Sequence, residues 1–171
     1  YGCSVVGIDV SESFVARARQ KAQARGLEGL ACFEVGDGNA LGVGDGAFDV
    51  AYCSGALCDY LANGLAEFQR VLKPGGRAVV IDVVFQSDQV PPHVEQYWSV
   101  GATRVMTMVA ECRAFVDHGF KTVFTQSYHK PSWWEAYYED REPTQAWQAE
   151  RARYRVHQDY VAVGLFVMEK Q

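Results

Sequence analysis

The strongest constraint in this chain is a series of short, nearly uncharged runs that end in an acid or a glycine. Ser4-Val5-Val6-Gly7-Ile8-Asp9 is the first, and Leu30 to Val35 and Phe48-Asp49-Val50-Ala51-Tyr52-Cys53 follow. Arg77 to Val84 is the most strand-like, with Ala-Val-Val-Ile-Asp-Val-Val inside it. β-Branched residues suit a pleated backbone, and strands that lack polar alternation belong to sheets covered on both faces, as parallel sheets are. Helical patterns separate these runs. Ser11 is a good N-cap, and Val10 and Val15 take the two positions of a hydrophobic staple. Phe14, Ala18 and Ala22 recur along one helical face, and Gly26 supplies a stop. Leu65, Phe68, Val71 and Leu72 mark a second helix, which ends before Pro74-Gly75-Gly76. Met106 to His118 reads as a third helix, stopped by Gly119, and Lys121 to Ser127 as a strand. Pro131 to His157 is expected to be helical with a break near Pro143, and Tyr160 to Met168 to close the chain as a strand. The alternation predicts one α/β domain over residues 1–171, with a mostly parallel sheet, helices on both faces and antiparallel strands at the C-terminal end.

Composition narrows the function. Sixteen basic against 21 acidic residues leave a net charge of −5, which argues against a nucleic-acid surface built on a basic face. No stretch approaches the roughly 20 unbroken apolar residues of a membrane span. The five cysteines have no paired framework, so reduced thiols in a cytoplasmic setting are expected. Cys3, Cys32 and Cys112 read as small buried hydrophobes. Cys53 and Cys58, with four residues between them and no partner histidine or cysteine nearby, do not make a zinc site, and no metal is expected.

Ligands of open parallel sheets bind at the carboxyl ends of the strands, and three features fall there. Asp9 ends the first strand, where a carboxylate can accept hydrogen bonds from both hydroxyls of a ribose, or simply favour a helix start. Gly36-Asp37-Gly38 follows the second strand. Its glycines let backbone approach a flat ring and Asp37 can accept an exocyclic amine, although Asp-Gly is also a common turn pair. The third is the Phe48 to Leu57 run, followed by Phe68-Gln69-Arg70-Val71-Leu72-Lys73-Pro74-Gly75-Gly76-Arg77.

In that order, Gly-Ile-Asp-Val-Ser, Gly-Asp-Gly, Phe-Asp-Val-Ala-Tyr and Arg-Val-Leu-Lys-Pro-Gly-Gly resemble the class I S-adenosylmethionine-dependent methyltransferases, particularly their small-molecule group. The resemblance extends to His118-Gly119-Phe120 before a strand and to Trp133-Trp134-Glu135-Ala136-Tyr137-Tyr138 before the last. It implies a Rossmann-like sheet, S-adenosyl-L-methionine as cofactor and a small-molecule methyl acceptor. It implies that Asp9 holds the ribose, that Val10 packs on the adenine and that Asp37 and Gly38 bracket the adenine edge. Cys53 and Ser54 would lie near the methionine part. Asp49 and the Lys73-Pro74-Gly75-Gly76 turn would be structural. Cys58-Asp59 stands where the family often has a histidine pair, so acceptor chemistry does not carry over there. The family's opening strand and glycine-rich loop have no counterpart here. The expectation is therefore a chain that starts at the family's second strand, with a preceding segment or an oligomeric partner filling the gap.

No general base is named by the sequence, and His93 and His129 are candidates by location only. Tyr97-Trp98, Trp133-Trp134, Tyr137-Tyr138 and Trp147 could wall an acceptor pocket or hold a cation, but helix-to-sheet packing is the more economical reading. Two competing classes remain at this level. A nicotinamide-dependent oxidoreductase also uses a strand-end acid on a ribose, but does not predict Lys73-Pro74-Gly75-Gly76. A catalytically degenerate methyltransferase fold would serve as an interaction module.

Overall fold

The computed structural model describes residues 2–56, 63–98, 105–128 and 145–171. The chain divides into two compact units, Tyr1–Gly44 and Asp45–Gln171.

The first unit is a strand–helix–strand. Strand β1 (Val5–Asp9) and β2 (Ala31–Val35) pair in parallel, with Val5 opposite Ala31 and Asp9 opposite Val35. Helix α1 (Glu12–Ala24) connects them. Ser11 caps it as expected: its hydroxyl accepts from Phe14 N, and Glu12 sits in the first turn, where a negative charge suits the helix dipole. Gly26, just past the C-cap, is left-handed (φ 65°). The buried face differs from the expected one. Val15 and Ala22, two turns apart, are buried, whereas Phe14 is 58% exposed. Ala22 of the expected stripe Phe14, Ala18 and Ala22 is buried and Ala18 is half-buried, but at its start Val15 packs inward in place of Phe14.

The second unit holds a four-stranded sheet, ordered β3 (Phe48–Ser54), β4 (Leu72–Phe85), β6 (Val161–Lys170), β5 (Phe120–Tyr128). β3 and β4 are parallel; β6 runs antiparallel to both of its neighbours. β4 starts at Leu72, earlier than the sequence suggests. Phe48 pairs with Leu72 but Val50 with Arg77, so Lys73 to Gly76 bulges out of the ladder. Gly75 takes φ 74° there, and a Cβ on Gly76 would lie 2.8 Å from Lys73 O and 3.2 Å from Asp49 O. The turn is structural, and Lys73 Nζ bonds Asp49 Oδ1 across it at 2.8 Å.

Alternation along β4 and β6 builds a core on each face. Ala78, Val80 and Val84 of β4, with Ala162, Phe166 and Met168 of β6, pack with helix α2 (Gly64–Val71) through Phe68 and with α4 (Met108–Asp117) through Phe115. Phe85, Val161 and Val163 pack on the opposite side with Val94 of α3 (Pro92–Trp98) and Tyr154 of α5 (Gln145–His157). Helices thus cover both faces of a mixed sheet. Helix α3 has no counterpart in the sequence reading; Pro92 occupies its first helical position, where no N–H is missed. The expected start of the last helical stretch, residues 131–144, lies outside the described residues. Cys3 and Cys32 are exposed, which overturns their reading as buried hydrophobes, and Cys112 is half-buried.

Candidate functional site

The parallel register of β1 and β2 brings two of the expected site residues to one end of one strand pair. Asp9 is the last residue of β1, and Asp37 follows β2 by two positions. Gly36 N donates to Asp9 O at 3.1 Å, which ties the two strand ends together. A Cβ on Gly36 would stand 2.9 Å from Ile8 Cγ2, so the close approach depends on Gly36 having no side chain.

Each carboxylate is engaged on one side. Asp9 Oδ1 accepts from Ser11 N at 2.8 Å, the role of a helix-start acid. Asp37 Oδ1 accepts from Asn39 N at 2.8 Å and Asn39 Nδ2 at 3.0 Å, an Asx turn. These local bonds hold both acids in place, on exposed residues. Val10, next to Asp9, is 73% exposed, an apolar side chain at the surface beside the acid. Gly38 is half-buried within the turn. An exposed carboxylate can accept hydrogen bonds from hydroxyl or amine groups, and beside Asp9 the exposed Val10 offers an apolar surface.

Cys53 and Ser54 lie in the second unit, at the carboxyl end of β3, opposite Val80 and Ile81. Cys53 packs with Ala51 against the core. Ser54 is exposed, as are Val50 and Tyr52 on its side of the strand. Gly55, left-handed at φ 68°, turns the chain out of the sheet while its N–H still bonds Ile81 O at 2.8 Å.

At the carboxyl end of β4 is a cleft of about 330 Å³, lined by Phe85, Asp88, Glu95, Val105, Thr107 and Ala110 among others. The sequence singled out none of these residues. The available signal was the position alone, just after the most strand-like run.

The histidine and aromatic candidates resolve unevenly. His93 lies on α3, exposed, with its ring 6.2 Å from that of His157. Trp98 Nε1 donates to His157 Nδ1 at 3.0 Å, and Tyr97 packs edge-on to the same ring. The cation over Tyr97 is the chain's own Arg153, 4.7 Å from the ring centre. These two aromatics therefore join α3 to α5. Burial first, and then the charge of His93, pull His157 below its ordinary value. His129, Cys58, Trp133, Trp134, Tyr137 and Tyr138 lie outside the described residues, as does the side chain of Trp147. No group of three or more potential metal ligands occurs among the described residues, and none of their helices is long and apolar enough to cross a membrane.

Comparison with known proteins bears on this arrangement directly. Residues 1–80, which contain β1, β2, β3 and their strand-end residues, match the family model described as a methyltransferase domain. The chain is 45% identical over 84 residues to a demethylmenaquinone methyltransferase of Thermus thermophilus, covering 47% of this chain and 37% of that protein. It thus spans well under half the length of that relative. Among solved structures, geranyl diphosphate C-methyltransferase from Streptomyces coelicolor A3(2) superposes with a TM-score of 0.80 at 16% identity, over all of this chain and 63% of that one. The [4+2]-cyclase SpnF superposes at 0.77 with 22% identity, over 98% of this chain and 66% of that one. The motif order, the Rossmann-like elements and the match of the first 80 residues to a methyltransferase domain agree, and together they support a class I S-adenosylmethionine-dependent methyltransferase.

Proposed function

We propose that residues 1–171 form part or all of one catalytic domain that transfers the methyl group of S-adenosyl-L-methionine to a small-molecule acceptor. The observation that carries this reading is the register of β1 and β2, which pairs Asp9 with Val35, two residues before Asp37, at one sheet end within the family-matched segment. Asp9 Oδ2 would accept the ribose hydroxyls, Val10 would pack on the adenine, and Asp37 beside Gly38 would accept the exocyclic amine. Cys53 and Ser54 would border the methionine part, Cys53 through its backbone because its side chain packs on the core. When bound, the cofactor supplies a sulfonium methyl whose leaving group is already activated, so holding donor and acceptor in line is most of what the protein must add. The cleft at the end of β4 suits an acceptor with an apolar body, which Phe85 and Val105 would hold while Thr107 and the two acids meet its polar end. The net negative charge supports a small molecule over a nucleic acid. The thiols of Cys3, Cys32, Cys53 and Cys112, none in a disulfide, suit a reducing cytoplasm.

The presence of a cyclase among the structural neighbours shows that this fold also hosts other chemistry. Calorimetric titration with S-adenosylhomocysteine and with NAD separates the readings. Saturable binding of the first alone supports methyl transfer. Binding of NAD alone turns the reading to an oxidoreductase, and binding of neither turns it to an interaction module.

A further inference from the structure

Glu111, on α4, is 1% exposed, and neither of its carboxylate oxygens has a hydrogen-bond partner. The neighbours along its helix, Met108 one turn before and Phe115 one turn after, pack into the core beneath the helix. On the sheet below, Asp82 of β4 is 2% exposed and, by alternation, shares the face of Val80 and Val84. Its Oδ1 accepts from Val83 N at 3.0 Å. Gly164 of β6 lies opposite Asp82, and a Cβ there would come within 2.7 Å of Met108 Sδ. The helix therefore rests directly on the sheet row that carries Asp82. The remaining side chains that β6 offers on this face are Ala162, Phe166 and Met168, which do not titrate, and Lys170, whose Nζ is taken up by Gln69 O and Leu72 O. Cys112, next to Glu111, is half-buried, and its thiol is raised by burial and by the charge of Glu111. Burial first, and the negative charge of Asp82 second, push Glu111 up to about 8.

We infer that Glu111 docks as a neutral carboxylic acid near neutral pH, so that α4 closes over the sheet there with a proton taken up from solvent onto its carboxylate. The wall that α4 and its cap give to the cleft at the end of β4, through Thr107 and Ala110, is then held in place by that proton. The sign follows from proton linkage. With the helix lifted, the carboxyl titrates at its ordinary 4.5; docked, it titrates near 8. Below the lower value both forms carry the proton and docking does not depend on pH. Between the two values the docked form alone holds it, so docking weakens about tenfold per pH unit. Above the upper value both forms are ionised and the dependence ends.

Amide hydrogen exchange on the full chain between pH 5 and 9, corrected for intrinsic exchange rates, tests this. The expected result is that protection of residues 108–117 falls about tenfold per pH unit up to about pH 8 and then levels off. Glu111→Gln, which keeps shape but cannot ionise, should give a flat profile. Asp82→Asn should move the levelling-off to lower pH, because the repulsion is gone. Flat protection in the unaltered chain, or an undiminished slope in Glu111→Gln, would overturn the inference. Should Glu111→Gln not fold, the infrared spectrum of the unaltered chain near neutral pH decides: a protonated-carboxyl carbonyl band supports the proposal, and its absence overturns it.

Discussion

At the residue scale, the two strand-end acids each make a local bond, and substitutions can separate that from the proposed role in cofactor binding. Asp9→Ala removes both the carboxylate proposed for the ribose and the acceptor for Ser11 N. It should weaken binding of S-adenosylhomocysteine by about 2–4 kcal/mol, the worth of one to two bonds to a charged group. The lost N-terminal bond of α1 should lower stability by about 1 kcal/mol. Asp9→Asn keeps an acceptor for Ser11 N, so it should restore most of the stability without restoring the affinity. Calorimetry paired with thermal unfolding reads both effects. Equal affinity in all three forms would remove Asp9 from the ribose. Asp37→Ala should cost less affinity, about 1.5–3 kcal/mol for one such bond. His157 gives a separate prediction on the acid side. Its Nδ1 can accept from Trp98 only while that nitrogen is unprotonated. Because its folded value lies below 6.5, its share of the stability is present above pH 6.5 and is lost as pH falls through that folded value. Trp98 fluorescence should change over that range, and His157→Gln should abolish the change.

At the element scale, glycines decide how closely segments meet. Gly164 lets α4 lie against the sheet. Gly164→Ala should cost about 1–3 kcal/mol, as overpacking of a filled core does, and should raise hydrogen exchange in α4 more than in α1. Urea unfolding and exchange mapping test this together. Uniform exchange changes in both helices would place the strain elsewhere. Lys170 Nζ, reaching Leu72 O at 2.7 Å, anchors the end of β6 to the junction of α2 and β4. The strand and helix identities were mostly legible, because periodicity and end signals such as Ser11 and Gly26 are local. The start of β4 was not, because its first pairing, Phe48 with Leu72, precedes a bulge that only the partner strand defines. Nor was helix α3.

At the scale of the whole molecule, the two pH effects act in opposite directions. Protonation of His157 loosens α3 from α5 at the acid end, and ionisation of Glu111 loosens α4 as pH rises toward 8. Thermal unfolding across pH should therefore show both an acid-side loss and a loss on the neutral-to-alkaline side. In Glu111→Gln the second loss should shrink while the first remains. The rim ion pairs are a smaller influence. Lys121 and Arg77 both reach Glu169, and its carboxylate is held below its usual value chiefly by Lys121. These groups are half-exposed or partly exposed, so solvent screens their attraction.

The sequence by itself determined the alternation of strands and helices, the positions of Asp9 and Asp37 at strand ends, and the motif order that marks the family. Those properties live in neighbouring residues, where hydrophobic period, capping and turn chemistry act. Tertiary structure alone decided which stripe of α1 is buried, that Cys3 and Cys32 are exposed, and that the lone acid in Ala-Val-Val-Ile-Asp-Val-Val meets Glu111. Burial is a property of what packs against a residue. Glu111 and Asp82 are 29 positions apart, and only the docking of α4 on the sheet makes one acid's charge part of the other's environment.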